Sequence, residues 1–153
     1  MQTTLHLLRR NFNLFCLPFI VFIVLFSLVT EVASAKVNEK LSYFNGTIEA
    51  QVTGPDSITT RGPNPFTVKI TDATGAPYTA IVAKWVNAST NMTNMEMGST
   101  KALVTDVLDA AGLFQGVLTI EPTFAMAGPF ELKIKLRTAA GSEVNSVRFD
   151  VTR

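Results

Sequence analysis

Two segments of strict two-residue alternation, turn residues at short intervals, and the lack of any helical-period apolar repeat after residue 35 predict an all-β fold. The expected form is an immunoglobulin-like antiparallel β-sandwich of about seven strands, preceded by an N-terminal signal or anchor helix. In the first alternating segment Phe66, Val68 and Ile70 interleave with Thr67, Lys69 and Thr71; in the second Phe130, Leu132, Ile134 and Leu136 interleave with Glu131, Lys133, Lys135 and Arg137. Apolar residues on one face and polar residues on the other describe a half-buried antiparallel strand.

Five weaker segments complete the set: Thr47–Thr53, Ala80–Asn87, Lys101–Asp109, Leu113–Glu121 and Val144–Thr152. In the last, Val147, Phe149 and Val151 point one way, and Arg148 and Asp150 the other. The joints carry turn chemistry. In Asp72-Ala73-Thr74-Gly75-Ala76-Pro77 an Asp can bond its own backbone and Gly75 supplies positive φ; Asp109-Ala110-Ala111-Gly112 repeats the pattern. Gly128-Pro129 and Ala140-Gly141-Ser142 mark two further turns. Seven short strands over about a hundred residues are the signature of the immunoglobulin-like sandwich. No cysteine is left to form an inter-sheet disulfide, and Trp85 on the third strand is the expected central aromatic. The expected core is Phe66, Val68, Ile70, Trp85, Phe130, Leu132, Ile134, Val147 and Phe149.

Residues 1–35 read as a separate segment of the 153-residue chain. Arg9 and Arg10 precede a stretch from Asn11 to Thr30 without charge, Glu31 ends it, and Ala33-Ser34-Ala35 follows. A charged start, an apolar run and an A-x-A site describe a secretory signal peptide cut between Ala35 and Lys36. The alternative is an uncleaved anchor, since residues 11–30 are long enough to span a bilayer core. In both cases the positive-inside rule places the remainder outside the cytoplasmic membrane, periplasmic or anchored facing away from the cytoplasm. Residues 36–45 then read as a linker and 46–153 as the β domain.

Removing residues 1–35 removes Cys16 and His6, each the sole residue of its kind. That excludes disulfides, Cys/His zinc sites, and Ser-His-Asp or Cys-His catalysis. It leaves 11 of the 13 Lys+Arg and 11 of the 12 Asp+Glu, since Arg9, Arg10 and Glu31 go. A balanced chain gives no reason to expect nucleic acid as a partner. Paired carboxylates do not stand out: Asp106 and Asp109 bracket a strand end and a turn. No enzymatic activity is expected.

Methionine is the one unusual composition. Met92, Met95 and Met97 fall in one loop, Met92-Thr93-Asn94-Met95-Glu96-Met97-Gly98, and Met126 lies before the Phe130 strand. Thioether sulfur is a soft, neutral ligand that suits Cu(I), and Glu96 could add an oxygen. The competing reading is packing or protein contact, because Met fills irregular gaps and decorates adaptable surfaces. The sequence therefore supports two functions: a Cu(I)-binding module using Met92, Met95, Met97 and Met126, or a metal-free module that docks on another periplasmic or membrane protein.

The run Pro65–Pro77, a strand leading into D-x-x-G-x-P, resembles the opening of a YtkA-like domain. The Met92–Gly98 loop resembles that family's Met-rich segment. Asp109-Ala110-Ala111-Gly112-Leu113-Phe114 and Phe124-Ala125-Met126-Ala127-Gly128-Pro129-Phe130-Glu131-Leu132 resemble its later part, with Phe130 where the family usually has Trp. The resemblance spans Pro65 to Val151. It implies a small exported sandwich without established enzymatic activity, found near copper-handling or respiratory proteins. Copper-resistance domains of the CopC kind share the Met-rich loop idea, but this chain lacks their histidines.

Overall fold

The computed structural model describes residues 36–94 and 98–153; residues 1–35, where a signal or anchor helix is expected, lie outside the described residues. Eight antiparallel strands form the domain: β1 (Asn38–Tyr43), β2 (Ile48–Thr53), β3 (Phe66–Asp72), β4 (Val86–Met92), β5 (Thr100–Leu108), β6 (Phe114–Glu121), β7 (Gly128–Thr138) and β8 (Gly141–Val151). They lie in the order β1-β2-β3-β6-β5-β4-β7-β8. The sheet folds over on itself into two layers, and β5 makes the corner, pairing with β4 at its start and with β6 along the rest.

Alternation decides which residues go inside. Phe66, Val68 and Ile70 of β3 and Leu132, Ile134 and Leu136 of β7 are fully buried, joined by Leu118 and Ile120 of β6 and Val147 of β8. Aromatic rings close one end of this core. Phe66 and Phe149 sit 5.1 Å apart between ring centroids, and Phe124 meets Phe130 edge-on at 4.9 Å. Such tilted and edge-on pairs add stability beyond their buried area.

Two sequence expectations change. Trp85 is 40% exposed and stands outside the core. It ends a single 3-10 turn, Ala83–Trp85, so the third expected strand starts only at Val86. The turn is held by Ala83 N–H donating to Asp106 Oδ1 at 2.7 Å, and Lys84 Nζ lies 5.5 Å above the Trp85 ring. The core position next to it belongs to Ile81, which is buried. Second, the segment read as a linker contains β1, where Leu41 and Tyr43 face inward. Its ladder with β2 runs from Asn38 opposite Thr53 to Tyr43 opposite Ile48.

β1 and β8 are the two ends of the sheet, and side chains close the seam between them. The Tyr43 hydroxyl crosses the core and donates to Ile134 O at 2.9 Å. Asn145 Nδ2 donates to Ser42 O at 2.8 Å, and Phe44 N–H donates to the Glu143 carboxylate. The far end of β8 is capped from the 58–60 loop: Thr152 N–H donates to Ile58 O and Thr60 N–H to Thr152 O. Exposed strand edges invite pairing with other chains, and these contacts blunt both.

The turns follow the sequence. The Asp72 carboxylate accepts from Thr74 N–H, Thr74 Oγ1 and Ala76 N–H, and Gly75 has φ +86°. The Asp109 carboxylate accepts from Ala111 N–H, Leu113 N–H and Gln115 Nε2, with Gly112 at φ +75°. Gly116 is required for another reason. At φ +74°, a Cβ there would stand 2.7 Å from Ile70 O, where the Tyr78 N–H comes in to bond that carbonyl at 3.0 Å.

Candidate functional site

Met92 is the last residue of β4, not a loop residue, and its side chain is buried in the core. It continues the inward row Val86, Ala88, Thr90, whose small or polar members conceal the alternation in the sequence. Its Cε packs against Gly128, where a Cβ would overlap it. Met126 is 38% exposed, in the loop between β6 and β7. Met95, Glu96 and Met97 lie outside the described residues. The loop after β4 leaves from the same end of the sandwich as the Met126 loop: Met92 is opposite Phe130, and Thr93 N–H donates to Pro129 O at 3.0 Å. Among the described residues no cluster of three or more His, Cys, Asp or Glu could hold a metal ion.

The carboxylates that the sequence puts close together serve the backbone. Asp106 holds the 3-10 turn and Asp109 its own turn. The hydrogen bond from Leu113 N–H, helped by Gln115 and Ala111, holds the Asp109 carboxyl below its ordinary range. The Thr74 hydroxyl, with the backbone N–H groups around it, does the same for Asp72. Ser146 Oγ donates to Glu131 at 2.7 Å and chiefly lowers that group, with Lys133 and Arg148 adding to it.

The less expected feature is β5. Leu103 is 60% exposed, Val107 41%, Leu108 55%, and Leu113 in the following turn 60%. Other strands alternate buried and exposed positions, whereas no residue of β5 is fully buried. A shift in register between Asp106 and Leu108 in the β5–β6 ladder accompanies this outward turn. The sequence carried a signal for it: Ala102-Leu103-Val104 and Val107-Leu108 place apolar residues on both sides of the strand, more than one inner face can bury.

Beside this strip lies a groove of about 600 Å³, where β4 and β5 part. Their ladder covers only Ala88–Thr90 against Thr100–Ala102, and beyond it Val86 and Asn87 face Leu103 and Val104 without pairing. Val86, Ala88, Val104 and Val144 give the groove apolar walls, and Lys101, Lys133 and Lys135 bring ammonium groups to it.

Among the described residues no helix is long and apolar enough to cross a membrane. No protein-family model, curated protein or solved structure matches the chain.

Proposed function

We propose that the chain is an exported, non-catalytic, immunoglobulin-like binding module that docks on a partner protein through the apolar strip on β5 and its turn. The observation that carries this reading is the exposure of Leu103, Val107, Leu108 and Leu113 on one strand and the turn that follows it. Clustered exposed apolar side chains mark interaction surfaces on soluble domains. Strand order supports the fold assignment: β2-β3-β6-β5 and β4-β7-β8 follow the ABED and CFG arrangement, with β1 an added edge strand. Export rests on the charged start, apolar run and Ala33-Ser34-Ala35 site, and intact mass of the exported product tests it: a chain starting at Lys36 supports cleavage, a full-length chain anchoring. The docking test compares the wild type with a Leu103→Ser/Leu108→Ser/Leu113→Ser variant by native size in extracts of the producing cells. The reading expects a complex for the wild type and free monomer for a variant with unchanged melting. Equal sizes for both proteins refute it.

A second reading keeps copper. Met92 packs against Gly128, two residues after the exposed Met126, and this proximity of β4's end to the Met126 loop supports the reading. A YtkA-like role in copper handling or respiratory-complex maturation would use the Met95, Met97 and Met126 sulfurs, with Met92 as a buried anchor for the loop. Competition with a Cu(I) chelator tests it on wild type and a Met95→Leu/Met97→Leu/Met126→Leu variant. Leu keeps the apolar volume but removes the lone pairs, so uptake by the wild type alone supports copper, and equal uptake or none removes it.

A further inference from the structure

The groove beside β5 has a charge that the chain's composition conceals. Ladder register puts Lys101, Ser89, Lys133 and Ser146 in one row across the outer face of β5, β4, β7 and β8, with Asn87, Lys135 and Val144 in the next. Lys101, Lys133 and Lys135 all line the groove. Glu131 reaches Lys133 at 3.5 Å; among the described residues Lys101 and Lys135 make no ion pair. Arg137 and Arg148 extend the same face, and its carboxylates among the described residues, Glu131 and Asp150, both lie toward the start of β7. A chain balanced in total thus presents one basic face, centred on the groove.

The backbone around the groove is already engaged. Val86 N–H donates to Ala83 O, and Ala83 N–H donates to Asp106 Oδ1 at 2.7 Å, which closes one end. At the other end the ladder between Ala88–Thr90 and Thr100–Ala102 joins the two strands. An occupant therefore meets side chains rather than a free strand edge. Those side chains are of two kinds: three ammonium groups stand beside Leu103 and Val144, which are 60% and 51% exposed. Leu103 also belongs to the strip on β5, so the groove continues the proposed docking surface. A second copy docked by the same face would set these cations against their own kind. A sugar or lipid headgroup would leave the apolar side chains uncovered. From this geometry we infer that the partner docked on β5 presents an acidic protein surface. Its Asp and Glu carboxylates meet Lys101, Lys133 and Lys135, while its apolar side chains cover Leu103 and Val144. Charge complementarity of this kind speeds encounter and rejects wrong partners more than it adds affinity. This inference rests on the docking reading and names the chemistry of the partner.

The test follows the complex of the full chain by native size, across a dilution series of extracts from the producing cells. A Lys101→Gln/Lys135→Gln variant with unchanged melting should dissociate at about tenfold higher concentration, each exposed ion pair being worth about threefold. Added salt should weaken the wild-type complex, and the variant's complex less. Lys40→Gln, on β1 and four strands from β5 in the sheet order, should leave dissociation unchanged. A carbodiimide then reads the contact chemistry, because it joins a lysine amine to a carboxylate only where the two touch. Mass spectrometry of the linked product should find Lys101, Lys133 or Lys135 joined to Asp or Glu of a second protein. An unchanged midpoint for the double variant, an equal shift with Lys40→Gln, or a complex without carboxylate links at these lysines overturns the proposal. Links to another copy of this chain, or to sugar acids, overturn it in favour of self-association or an anionic polysaccharide. If the lysine results fail while the Leu triple variant still loses its complex, docking through β5 stands without an acidic partner. If the wild type forms no complex, both readings fall.

Discussion

Removing one oxygen from Tyr43 should weaken the whole domain, because that oxygen joins its two layers. Tyr43 is fully buried, and its hydroxyl donates to Ile134 O on β7 at 2.9 Å, while the Asn145 backbone N–H faces the same oxygen. Tyr43→Phe keeps the ring and its packing. The loss is then one net hydrogen bond, about 0.5–1.5 kcal/mol, plus part of the 1–3 kcal/mol for leaving a buried backbone group unpaired. A total of about 2 kcal/mol follows, and a domain of this size moves about 4 °C in Tm per kcal/mol. Urea unfolding followed by Trp85 fluorescence measures it, with an unchanged m-value showing that only stability moved. The alkaline limb gives a second readout. Burial, reinforced by the charge of Glu143, pushes the Tyr43 phenol far above its ordinary 10.0. The unfolded chain therefore ionises this group first, so stability holds below pH 10.0 and falls as pH rises beyond it. Tyr43→Phe should fall less steeply there. A variant with the wild-type urea midpoint and the same alkaline loss would refute the cross-layer role of this hydroxyl.

Phe130→Ala should cost about 3–5 kcal/mol, the range for emptying a buried Phe site, read as a lower urea midpoint or failure to accumulate. Gly116→Ala should cost about 1–3 kcal/mol or more, from positive φ and the approach of Ile70 O; a neutral result by thermal melting would contradict the close approach. Asp72 and Asp109 are both held below their ordinary 3.8 by turn hydrogen bonds. Their contribution is present above that value and is lost as pH falls through the lowered folded values. Asp72→Asn/Asp109→Asn should therefore be less stable than wild type at neutral pH and lose less on acidification.

The strands with strict alternation were legible because every inward position is large and apolar. The third strand was not, since β4 buries Ala88 and Thr90 between Val86 and Met92. A row of small and hydroxyl side chains hides the period, and Trp85, the nearest large aromatic, drew the strand too early. β1 escaped because only Leu41 and Tyr43 of its six residues face the core. Both Asp-x-x-Gly turns were readable from chemistry alone, each needing one acceptor and one positive φ. The candidate site was the least legible part. A basic face in a balanced chain depends on which strands are neighbours, and Lys101 and Lys133 meet across β4 only through a topology that no local pattern encodes.

The most direct test of docking through β5 is site-specific photo-crosslinking in the full chain, in the cells that produce it. A photoreactive side chain is placed at Leu108 on the strip, and in a second protein at Asp150, exposed on β8 of the opposite layer. The account predicts one discrete crosslinked species from position 108, lost when Leu103 and Leu113 are changed to Ser, and none from position 150. No adduct from position 108, or the same adducts from both positions, would contradict it.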